Sequence, residues 1–188
     1  MFAVFAFLPV ILILVILFIN RGKIEGLQEL SERFGGGIFS RLVPTFQGNY
    51  GGLTFRVVLI RPRYSAPLLK IYLYHANYLR AYIFNTRVYF LFRWIRKMGL
   101  IKPVKIDDPV FDKDFFVIST MPGSCKMFLN KPEVKASITE LFEEGFERLF
   151  LNSRSIFIQK PNYMHIPDLD KDYIESVARR LSVLARAL

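Results

Sequence analysis

The chain has 188 residues, 52% of them apolar, and a formal net charge of +10. Once an apolar N-terminal segment is set aside, about 150 residues remain, enough for one ordinary hydrophobic core and too few for two. The basic balance calls for an anionic neighbour, and the single cysteine suits a cytoplasmic domain better than an exported one, which more often carries cysteines in pairs.

Phe2 to Ile19 is an unbroken apolar run. At about 1.5 Å per residue it reaches ~27 Å as a helix, close to the ~30 Å hydrocarbon core of a bilayer, so residues 1–20 are expected to form a transmembrane helix. Pro9 could kink it, which a membrane helix tolerates. A cleaved signal peptide would want a basic stretch before the run and small residues after it; only Met1 precedes it, and Asn20-Arg21-Gly22-Lys23 follows. Arg21 and Lys23 after the span place the following domain in the cytoplasm by the positive-inside rule. Residues 21–34 then read as a linker or short helix, and residues 35–188 as one α+β domain with a mainly antiparallel sheet and two or three helices.

The glycines at 35–37 end the linker, because glycine is the usual residue for left-handed backbone at a helix stop. They match neither the P-loop nor the GxGxxG pattern. From Leu42 to Phe92 the apolar period is two: Phe55, Val57 and Leu59 alternate with Thr54, Arg56 and Val58, and Leu69, Ile71 and Leu73 alternate with Lys70, Tyr72 and Tyr74. Gly48, Gly51 and Gly52 mark a turn between strands, and Arg61-Pro62 with Ala66-Pro67 bound the next connection. Residues 78–84 and 87–92 read as two further strands. In residues 88–102, VYFLFRWIRKMGLIK, the strand pattern gives way to a basic turn that leaves Arg93, Arg96 and Lys97 exposed and Trp94 beside them.

After an acidic turn, residues 115–120 are expected as a strand broken by Pro122-Gly123. Asn130 and Glu133 resemble a capping box opening a helix whose buried stripe is Val134, Ile138, Leu141 and Phe142, and Gly145 ends it. Residues 146–151 and 155–159 form a hairpin around Asn152-Ser153. Asp168 or Asp170 caps a last helix that buries Ile174, Val177, Leu181 and Leu184 and carries Arg179, Arg180 and Arg186 towards the negative end of its dipole.

The charge is unevenly spread. Residues 33–106 hold thirteen Lys or Arg and no acid, giving +13; residues 1–32 give 2 − 3 = −1 and residues 107–188 give 11 − 13 = −2. Near a leaflet each basic residue contributes ~1 kcal/mol of attraction to anionic lipid, so a tethered basic domain should face lipid first. Nucleic acid is not expected, because the sequence has no zinc-finger spacing, RNP-like motif or KH loop. The expected contact surface is Arg87, Arg93, Trp94, Arg96 and Lys97, against membrane lipid or an acidic partner.

Catalytic groups are sparse. His75 and His165 have no second ligand at metal-binding spacing. Cys125 stands beside Lys126, which could lower its pKa, although a structural thiol beside Met127 and Phe128 is more frequent. Asp107, Asp108, Asp112 and Asp114 lack the central glycine and terminal Glu of an EF-hand and read as a solvated turn. No cofactor and no metal is expected.

Residues 48–52 (GNYGG) followed by FRVVLI, then DDPVFDKDFFV and KPEVK, resemble a group of uncharacterised bacterial proteins with one N-terminal span and a cytoplasmic α+β domain. The resemblance covers most of residues 30–160 and implies a single-pass protein of the bacterial inner membrane, with no activity to carry over. Two functions fit: a non-enzymatic accessory subunit of a larger membrane complex, or a membrane-tethered module that binds a lipid or other amphiphile in a concave pocket lined from its many Phe and Tyr.

Overall fold

The computed structural model describes residues 2–62, 66–86, 102–162 and 169–188, with the side chains of residues 2–8 excepted. In chain order the elements are α1 (Phe2–Phe34), β1 (Gly37–Ser40), β2 (Thr45–Tyr50), β3 (Leu53–Ile60), β4 (Leu68–Tyr74), β5 (Ala81–Asn85), α2 (Pro109–Asp114), β6 (Phe115–Ser119), α3 (Pro122–Leu129), α4 (Pro132–Glu143), β7 (Arg148–Asn152), β8 (Ser155–Pro161) and α5 (Lys171–Ala187). The fold is α+β, with four helices after α1 among the described residues rather than the two or three expected of the domain. The strands form one open sheet in the order β1-β2-β3-β4-β8-β7-β5-β6, and every neighbouring pair is antiparallel.

The period-two pattern sets one face of this sheet. Phe46, Val57, Ile71, Ile158, Leu149, Ile83 and Val117 lie in register across seven strands and are all buried. Side chains alternate in a strand, so a one-residue slip would send this whole row to the other face, and burial thereby fixes the register. The C-terminal half of α1 packs on β1 and β2, and α5 packs on β4 and β8. Leu27, Leu30 and Phe34 of α1 and Ile174, Val177, Leu181 and Leu184 of α5 join the same core, as do Val134, Ile138 and Leu141 of α4. The opposite face carries a second row, Gln47-Arg56-Tyr72-Phe157-Phe150-Tyr82, in which the Phe150 and Phe157 rings stack at 4.4 Å and those of Tyr72 and Phe157 at 4.9 Å.

Several boundaries differ from expectation for local reasons. Helix α1 continues unbroken through residues 21–34, because Leu27, Leu30 and Phe34 recur at helical spacing and dock on the sheet. It stops where expected, with Gly35 at φ +60° and Gly36 at +81°. Gly48 is not a turn residue; it lies within β2, and the turn is made by Gly51 and Gly52, both at positive φ. The capping box is absent: the N-cap of α4 is Lys131, without a side-chain hydrogen bond, and Pro132 supplies the helical φ at the first turn. Pro122-Gly123 begins helix α3 instead of breaking the chain, again with proline in the first turn. Asp170 caps α5 by accepting from Asp172 N and Tyr173 N, whereas Asp168 lies outside the described residues.

The expected membrane span over residues 1–20 needs correction. Among the described residues, no helix is long and apolar enough to cross a membrane. The described apolar side chains run from Pro9 to Ile19, which rise only about 17 Å as a helix, and Arg21, Lys23 and Glu25 follow at once. The rest of the expected span, residues 1–8, lies outside the described side chains.

Candidate functional site

The N-terminal half of α1 differs from the rest of the fold in what surrounds it. Val10 to Val15 are each 45–60% exposed, and Phe18 is 78% exposed. Successive helical residues point about 100° apart, so six consecutive exposed side chains leave no face of this segment packed on the domain. The apolar surface continues onto the β1–β2 turn, where Leu42 and Val43 are exposed as well. Asn20 is the joint between the two. Its buried side-chain amide donates to Leu42 O at 3.1 Å and to Arg41 O at 3.4 Å, which satisfies turn carbonyls and holds the apolar turn against the helix.

Between them lies a cleft of about 330 Å³, walled by Ile16, Ile19, Leu42, Val43, Leu59 and Ile60. Lys23 and Arg61 also line it. Partial burial holds the Lys23 ammonium below its ordinary pKa, and the nearby Arg61 charge pushes in the same direction. Neither cation has an acid or other hydrogen-bonding partner among the described residues. Arg21 is different: it pairs with Glu25 at 3.0 Å, one helical turn on. The end of the molecule that carries the exposed apolar helix is thus rimmed by Arg21, Lys23, Arg41 and Arg61.

The chemistry weighed in the sequence resolves into structural roles. Cys125 is buried, and that burial raises its thiol to about 11, against a small opposing effect of a hydrogen bond with Ser119; Lys126 ion-pairs with Asp107. The aspartates at 107–112 each have work to do. Asp108 caps α2 by accepting from Val110 N and Phe111 N and pairs with Lys135 at 2.9 Å, while Asp112 accepts from Ile106 N. The Lys135 hydrogen bond is the main reason the Asp108 carboxyl titrates below its usual range. His75 is half-buried, and its backbone N–H donates to Arg154 O at 3.1 Å; His165 lies outside the described residues. Among those residues no group of His, Cys, Asp and Glu could hold a metal.

All five residues of the expected contact surface, Arg87, Arg93, Trp94, Arg96 and Lys97, lie outside the described residues. The surface that is described uses others: Leu42 and Val43, with Lys23 and Arg61. A signal for them exists in the sequence. Leu42-Val43 sits between Arg41 and Pro44, an apolar pair in a turn, where polar residues are usual.

No protein-family model matches the chain, and no curated protein matches it. Among solved structures, the crystal structure of the mycobacterial trehalose monomycolate transport factor A, TtfA, is similar with a TM-score of 0.49 at 12% identity, over 77% of this chain and 72% of that one. A likeness at that level fixes no function.

Proposed function

We propose that this protein is a non-enzymatic, membrane-attached module that binds lipid. In this reading the apolar half of α1 enters the hydrocarbon boundary of the bilayer, Leu42 and Val43 dip into the same layer, and Arg21, Lys23, Arg41 and Arg61 lie at the head groups. The observation that carries it is the run of consecutive exposed apolar residues in α1, continuous with an exposed apolar turn and bordered by cations. A helix that is apolar all round needs an apolar surrounding.

Magnitudes decide which force dominates. Eight side chains, Val10 to Val15 with Phe18 and Ile19, are each at least 45% exposed, and moving the exposed part of each from water to hydrocarbon contributes roughly 1 kcal/mol. Four rim cations at ~1 kcal/mol each add about half as much, and salt screens only that part. Flotation of the full chain with protein-free vesicles tests the reading. It should float with phosphatidylcholine vesicles even in 0.5 M salt, and phosphatidylglycerol should raise the affinity at least tenfold at low salt. If the apolar helix is covered by a subunit of a larger membrane complex instead of lipid, the purified chain will stay in the dense fractions of both gradients.

A further inference from the structure

The cleft beside α1 does not follow from membrane attachment alone. A helix could enter the bilayer without a recess at its base, and cations at head-group level would ordinarily be splayed on the surface. Here Lys23 on α1 and Arg61 just after β3 approach each other within one recess, and among the described residues no carboxylate answers them. Lys23 is partly buried there and Arg61 exposed; two like charges at one recess oppose each other, and an anion placed between them relieves both the repulsion and the unmet hydrogen-bonding capacity of five guanidinium and three ammonium N–H groups.

We infer that the cleft is a binding site for one anionic, phosphate-bearing amphiphile, whose head group lies between Lys23 and Arg61 and whose acyl chain runs past Ile16 and Ile19 along the exposed face of α1. The apolar wall assigns an amphiphile over a free anion. Ile16, Ile19, Leu42 and Val43 line the recess together with the two cations, Ile16 lies one helical turn from the exposed Leu12 and Ile13, and a free phosphate would leave that apolar wall wet. The geometry suits phosphate, because a guanidinium offers it two parallel N–H groups while an ammonium adds a point charge. At about 330 Å³ the recess is at the small end of ligand sites, enough for a head group with the chain extending outside. This inference rests on α1 facing lipid and adds the chemical class and the residues that select it.

Native mass spectrometry of the full chain released from detergent micelles tests it, with phosphatidylglycerol, phosphatidylcholine, diacylglycerol and inorganic phosphate each supplied in turn. One phosphatidylglycerol per chain should be retained, with phosphatidylcholine and diacylglycerol at least tenfold less. Lys23→Gln combined with Arg61→Gln should lower phosphatidylglycerol retention at least tenfold. Arg154→Gln combined with Arg179→Gln, an equal charge change outside the cleft, should leave it unaltered. Equal losses in the two pairs, or equal retention of phosphatidylcholine, overturn the site. Retention of inorganic phosphate as strong as that of the lipid overturns the amphiphile and leaves a simple phosphate site. Failure of the broader reading is a separate result, since it appears as loss of flotation by the unaltered chain on neutral vesicles.

Discussion

Cys125 shows how burial settles a residue that the sequence leaves ambiguous. Its neighbour Lys126 could have made a thiolate, yet the lysine points to Asp107 and the thiol sits among core side chains. Desolvation raises the folded-state pKa to about 11, so the thiolate is only roughly one part in ten thousand at pH 7. The sign is that of an acid whose neutral form is favoured by folding: the fold gains from this group below the ordinary thiol pKa, and that gain is lost as pH rises through about 11. Iodoacetamide should therefore leave the native chain unmodified from pH 7 to pH 9 and label it within minutes in denaturant. Rapid native labelling at pH 8 would place the thiol on the surface and return it to the list of reactive groups.

At the scale of elements, the sequence reports periodicity well and ends poorly. The strands with strict alternation, β3 and β4, and the buried stripes of α4 and α5 were legible, because one buried face forces their period. Helices α2 and α3 were not. They span six and eight residues, too short for a stripe to repeat, and proline at their first turns reads equally well as a break. The union of residues 2–34 into one helix was hidden because its second half buries one stripe on the sheet while the described side chains of its first half are exposed, so the sequence shows two patterns where the backbone has one element. Its end at Gly35-Gly36 is a demanding junction. At Gly36, φ is +81°, and an added Cβ would fall inside the contact distance of the Gln47 carbonyl oxygen on β2. Gly36→Ala should therefore cost at least about 2 kcal/mol, read as a lower urea midpoint at unchanged slope. A loss below 0.5 kcal/mol would mean that α1 does not dock on β2 through this turn.

For the whole molecule, the charge split has a structural outcome. Acids of the second half are largely spent inside the domain: Glu175 takes Arg33 at 2.7 Å, Glu140 and Glu144 both take Arg180, and Asp108 takes Lys135. That leaves Lys23 and Arg61 unanswered at the end where α1 leaves the core. The split itself was legible in the sequence, but the place where the free charges gather was not, since it depends on α1, β1 and β3 meeting. The same division separates folding from attachment. Among the described side chains of α1, the first core residue is Leu27, the first buried one is Asn20, and Val10 to Val15 touch no other element closely enough to be covered. A chain lacking residues 2–15 should therefore keep its melting temperature within about 2 °C, because the described side chains it removes, Pro9 to Val15, are exposed and a domain of this size shifts by ~2–4 °C per kcal/mol. The same deletion should abolish flotation on neutral vesicles. Weak binding to anionic vesicles through the rim cations should remain at low salt and vanish by 0.5 M, where the screening length falls to a few ångströms. A fall of 10 °C in the melting temperature would show that the segment packs on the domain after all, and undiminished flotation would move the attachment to another part of the surface.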